Sequence, residues 1–201
     1  MALNIKNMLD SNAPVSIPVG TYQSRIIGVA ELGLQETTYN GVQREQKQVA
    51  LLFSVYENSD ATPVVIGRSY TMSMRENSNL RKVIKSIRGK DFTKEELNDW
   101  DLIQLLNMPC TVSVDQYEKN GFKNAKITQV GMAMKDSNLP ESTEKHIYFD
   151  MDNTDTWDSF ALMPKWLQMK INNSITFKNE NIFLDETGQP YGTDEYEEDV
   201  D

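Results

Sequence analysis

Residues 47–57 read KQVALLFSVYE, residues 64–74 read VVIGRSYTMSM, and residues 78–88 read SNLRKVIKSIR. The first stretch sets Val49, Leu51, Phe53 and Val55 on one face and Gln48, Ala50, Leu52, Ser54 and Tyr56 on the other, the period of a strand. After a turn at 58–63, the second sets Arg68, Tyr70, Met72 and Met74 against Gly67, Ser69, Thr71 and Ser73, a second strand pattern. In the third, Leu80, Val83, Ile84 and Ile87 recur at helical spacing, and Gly89 supplies the stop. Strand, strand, helix is thus the middle of the fold, and its flanks decide the class.

Upstream, residues 21–32 (TYQSRIIGVAEL) predict a first strand, with Gly28 marking a bend or bulge. Residues 33–46 (GLQETTYNGVQREQ) predict a polar loop containing a strong Asn40-Gly41 turn. Residues 1–13 are polar apart from an amphipathic patch of Leu3, Ile5, Met8 and Leu9. Downstream, Thr93 and Glu96 form a capping box, with Phe92 and Leu97 as its hydrophobic staple, and 102–106 adds a helical turn. Residues 109–117 (PCTVSVDQY) and 123–132 (KNAKITQVGM) read as two strands around the turn residues 118–121. The order β-β-β-α-β-β is that of a mainly β (α+β) fold, a five-stranded OB-type barrel with a helical insertion between strands three and four.

Beyond 134 the character changes. Residues 135–146 are linker-like, 147–151 offer one more short strand, and Pro164 suits the first position of a helix to about 172. Residues 175–184 can pair as a strand or pack on that helix. From 185 onward aliphatic residues almost vanish and acids accumulate, which predicts disorder. The expected organisation is a barrel over 1–134, a helical and strand extension over 135–184, and an acidic tail over 185–201.

The net charge of −10 is unevenly spread. Residues 1–134 hold 15 Lys/Arg against 14 Asp/Glu, whereas 185–201 hold 8 acids and no base. A nearly neutral barrel with an acidic end removes the objection that an acidic protein cannot meet nucleic acid. No apolar run reaches the ~18 residues of a membrane helix. The start lacks a secretory pattern. Cys110 stands alone, so no internal disulfide forms. A soluble, cytoplasmic protein without a cofactor is expected.

Taken in order, several local patterns carry a resemblance. They are Pro18-Val-Gly-Thr-Tyr22, Gln48-Val-Ala-Leu-Leu-Phe53, Arg68-Ser-Tyr-Thr-Met-Ser73, Ser78-Asn-Leu-Arg81, Arg88-Gly-Lys-Asp-Phe-Thr93 and Leu105-Leu-Asn-Met-Pro-Cys110. Through them the first ~135 residues resemble single-stranded-DNA-binding, replication-associated proteins of tailed bacteriophages. The resemblance implies an OB fold, single-strand binding, and a role in DNA replication or recombination inside the host cell. It assigns no DNA-contacting residue.

Those residues follow from the chemistry of single strands, which need cations for phosphates and aromatic faces for bases. The loop between strands one and two offers Tyr39, Arg44 and Lys47. Strand two ends on Tyr56, and strand three supplies Arg68 and Tyr70, the latter more natural as core. The hairpin of strands four and five offers Tyr117, Lys119, Phe122 and Lys123. Arg75, Arg81, Lys82, Lys85 and Arg88 extend the positive track on a helix whose basic face is otherwise a solvated one. The tail Asp194, Glu195, Tyr196, Glu197, Glu198, Asp199, Val200 and Asp201 reads as a solubilising end or as a recruiter of replication partners that competes with DNA. The bacterial version of such a tail ends in a hydrophobic dipeptide, and this one ends Val200-Asp201.

Rival chemistries are poorly served. Asp150-Met-Asp-Asn-Thr154 matches the opening of haloacid-dehalogenase-type phosphatases, but too little chain follows to build their α/β domain. As a calcium loop it lacks the central Gly and closing Glu. His146 is solitary, and Cys110 in an apolar strand suits a core better than a nucleophile. An enzyme is therefore not expected. An acidic DNA mimic and a virion β-barrel are the alternative classes, and a homo-oligomer is left open.

Overall fold

The computed structural model describes residues 17–57, 63–119, 121–135, 139 and 145–191. The amphipathic patch in 1–13 and the tail from 192 lie outside the described residues. The protein is mainly β. Its strands are β1 (Gly20–Tyr39), β2 (Val42–Tyr56), β3 (Val64–Thr71), β4 (Pro109–Lys119), β5 (Phe122–Met132) and β6 (Ile147–Phe149) in one antiparallel sheet, plus a small pair, β7 (Phe183–Leu184) and β8 (Pro190–Tyr191). The large sheet has the order β3-β2-β1-β4-β5, with β6 added on β1. Among the described residues the α-helices are α1 (Asn79–Arg88), α2 (Lys94–Asp99), α3 (Lys165–Asn172) and α4 (Ile175–Glu180).

Contacts divide the described chain into two units, 17–29 with 50–146 and 30–49 with 147–191. This differs from the predicted break at 134, because the long strands β1 and β2 each contribute to both units.

In the first of these units the core is Ile26, Ile27, Leu51, Leu52, Phe53, Val55, Leu80, Ile84 and Val112, all essentially buried. Residues 49–56 are buried on both faces of β2, so its alternation separates two covered sides rather than core from water. β4 pairs with β1 (Gly20 with Val114, Ser24 with Cys110) and with β5 (Val112 with Val130). Arg68 on β3 donates from Nη1 to the Ile127 and Thr128 carbonyls of β5, at 3.0 and 3.3 Å, so the first and last strands of the order touch. The cations of α1 project from a helix fixed at both ends: Ser78 accepts the Arg81 amide, and Gly89 closes in the left-handed region at φ 72°. α2 carries the predicted Thr93–Glu96 capping box. Cys110 is fully buried, and burial pushes its thiol up to about 12, which suits a core residue.

In the other unit the predicted loop 33–46 is a correction. It is strand on both sides of a two-residue turn, Asn40 (φ 50°) and Gly41 (φ 77°), the backbone a tight type I′ hairpin demands. Its polar composition hides the cover that makes a strand worthwhile. Leu32 is buried, the Leu34 amide donates to Thr176 Oγ1 at 2.9 Å, and Gly33 (φ 67°) leaves room for Met151 and Thr176 where a Cβ would collide. An aromatic cluster of Phe149, Trp157, Phe160 and Phe177, with ring centroids 5.6–6.5 Å apart, forms the core with Leu167 and Ile171. Pro164 stands one position earlier than expected, as the cap of α3. Residues 175–180 are helical because Ser174 caps them, accepting the Phe177 amide. The predicted disorder from Asp185 starts too early. Asp185 accepts the Thr187 and Gln189 amides, and Gly188 tucks against the Trp157 carbonyl, shaping a turn between β7 and β8. Among the described residues no helix is long and apolar enough to cross a membrane.

Candidate nucleic-acid interface

In the unit of 17–29 and 50–146, β4 and β5 set the outward geometry. Asp115 faces Lys126 and Tyr117 faces Asn124, and these pairs share one side of the ladder because they are two residues apart. Tyr117 is 43% exposed, enough of a ring face to stack on a base. Lys126 lies 3.4 Å from Asp115, and Lys123, exposed, stands opposite Glu118 in register. The same unit presents Arg75 and Lys82, both exposed and without a carboxylate partner among the described residues.

Other predicted contacts are committed elsewhere. Tyr56 and Tyr70 are buried (8% and 4% exposed) and offer no face to a base, so both are corrected to core. Burial raises the Tyr70 hydroxyl to about 12, and Arg68 lies 5.3 Å from its ring centroid. The Arg68 guanidinium is occupied by the β5 carbonyls. Arg81 and Lys85 converge on Asp91, at 3.1 and 3.0 Å, so two positive charges share one negative. Arg88 pairs with Glu96 under the ring of Phe92. Sequence reasoning missed Asp91 and Glu96 as neutralisers, since carboxylates six to ten positions away, on the following loop and on the next helix, obey no helical spacing rule.

These pairs set an acid response. The hydrogen bond from Lys85, then the Phe92 amide and Arg81, hold the Asp91 carboxyl at about 2. The Thr93 amide, then Lys90 and Arg88, hold Glu96 at about 2. Both folded values lie below the ordinary carboxylate range, so the unfolded chain binds more protons and stability falls as pH drops from ~4 toward 2. Asp91→Asn with Glu96→Gln should flatten the dependence of melting temperature on pH across that window. An unchanged slope refutes the assignment.

In the unit of 30–49 and 147–191, Arg44 is exposed and Lys47 lies 3.6 Å from Glu31. The side chains of Tyr39, Lys119 and Phe122, and all of 194–201, lie outside the described residues. Glu31, Asp150 and Asp152 bring one carboxylate oxygen each within 4.8 Å of one another. Such oxygens suit a hard divalent cation, but Glu31 already faces Lys47 and accepts the Met151 amide. Three carboxylates against one ammonium make that corner negative and unsuited to phosphate. The Asp-x-Asp pattern was visible in the sequence; Glu31, far away in the chain, was not.

Compared with known proteins, the chain matches no family model and no curated protein.

Proposed function

We propose that this protein binds single-stranded DNA without sequence preference, through an OB-type barrel built from the strands of 17–29 and 50–146. Support for the barrel comes from the strand order. With β3 against β5, each of the five strands has a neighbour on either side, which is what closure requires. The helices α1 and α2 fall between β3 and β4, where an OB barrel takes its insertion.

The observation that carries the binding reading is Tyr117, an exposed ring on the outer side of β4, with Lys126 on the same side of the ladder. An aromatic face beside cations is the element that single-strand binders repeat, each stacked base contributing ~1–3 kcal/mol. Arg75 and Lys82 add cations free of carboxylate partners among the described residues. Supporting phage DNA replication or recombination, with the acidic residues 194–201 recruiting partner proteins, is the role in which this chemistry fits the family resemblance.

Fluorescence anisotropy with labelled oligo-dT at ~50 mM salt tests the reading. Binding should be micromolar or tighter, salt-sensitive, and much weaker to duplex of equal length. Tyr117→Ala should cost ~1–3 kcal/mol of that affinity. Equal affinity for duplex and single strand defeats the proposal.

A further inference from the structure

Within the unit of 17–29 and 50–146, α2 and the 3-10 turn at Leu102–Leu105 border an open groove of ≈ 670 Å³. Its lining includes Arg88, Glu95, Asp99, Trp100, Gln104 and Met108. None of these belongs to the DNA interface proposed above, except that Arg88 lies on the helix that carries Lys82.

The lining has three chemical parts. Trp100, half-buried and 5.1 Å edge-on from Phe92, and Met108 give an apolar floor. Glu95 and Asp99, both exposed, stand one helical turn apart on the rim. No base pairs with either among the described residues, whereas Glu96 beside them is taken by Arg88 and Lys90. The Arg88 side chain, nine-tenths buried (9% exposed), lies in the wall with its guanidinium 4.1 Å from the Phe92 ring and 5.7 Å from the Trp100 ring. Its Nη1 is buried without an acceptor among the described residues.

Nucleic acid does not fit this groove, because its phosphates would meet the rim carboxylates. A segment with positive charge and apolar side chains does fit. We infer that the groove docks an extended protein segment in which a lysine or arginine flanks an aliphatic or aromatic side chain. The partner's cation meets Glu95 and Asp99, its apolar side chain covers Trp100 and Met108, and its main chain matches the exposed Gln104 amide. The protein thereby holds a basic partner at a surface of opposite charge to the one that takes DNA.

The probe is a fluorescein-labelled heptapeptide, Gly-Lys-Leu-Arg-Leu-Lys-Gly, titrated into the full chain at ~50 mM salt, with Gly-Glu-Leu-Glu-Leu-Glu-Gly as control. The basic peptide should saturate with a Kd below ~1 mM, and the acidic one should not bind. Glu95→Gln with Asp99→Asn should weaken the basic peptide about 3–10-fold, as loss of two rim ion pairs implies. Glu95→Lys with Asp99→Lys should abolish it. Both double variants should keep the wild-type circular dichroism and bind oligo-dT at least as well as the parent, which separates this groove from the DNA reading. No binding below ~1 mM, or an affinity unmoved in the Gln/Asn variant, overturns the inference.

Discussion

Phe53→Ala is expected to cost about 3–5 kcal/mol of folding stability, the range measured for emptying a buried phenylalanine site. Phe53 is fully buried in β2, in the run 49–56 that is covered on both faces. Neighbours on strands of a hydrogen-bonded sheet cannot collapse far into the void, so the loss should lie toward the upper end. Set against a typical ~5–15 kcal/mol for a whole domain, it leaves the variant close to unfolding at 37 °C. Urea denaturation measures it: the midpoint should fall sharply with little change in slope. A loss under ~1 kcal/mol shows that Phe53 is not the centre of this core.

The second large effect concerns binding. Arg75, Lys82 and Lys123 are the predicted cations of the 17–29 and 50–146 unit that remain exposed and outside ion pairs among the described residues. Single-stranded DNA gives ~0.7 in the logarithmic salt slope per neutralised phosphate, so converting all three to alanine should reduce the slope by ~2. Referred to 0.1 M salt, that slope change corresponds to a loss of roughly 100-fold in affinity. Arg81→Ala with Lys85→Ala should change the slope less, because Asp91 already offsets one of the two charges. Equal losses from the two sets would mean that Asp91 gives way to phosphate. No loss from the triple variant removes these side chains from the interface.

Much of the fold was legible because its signals are local. Ser78 and Gly89 bracket α1, and Thr93 with Glu96 opens α2, since capping is settled within one turn. The hairpin β1–β2 was half legible: the Asn40-Gly41 turn announced itself, but its polar arms looked like loop. What makes them strands is supplied by Met151 and Thr176, more than a hundred residues downstream. The same holds for the site. Exposed Tyr117 and Lys123 follow from their hairpin, while the loss of Tyr56 and Tyr70 to the core, and of Arg81 and Lys85 to Asp91, depends on distant packing that no period in the sequence encodes.

The pairing of Gly20 with Val114 and of Ser24 with Cys110 has a consequence in time. On the ribosome β1 emerges first, yet its β4 edge stays open until the chain has grown past residue 119. Helix α1 lies within a stretch that can order itself early, because its caps are local. Joining β4 to β1 must await a loop closure of about ninety residues, and β6 a longer one, so folding should be governed by such distant encounters, on the millisecond-to-second scale of non-local β topologies.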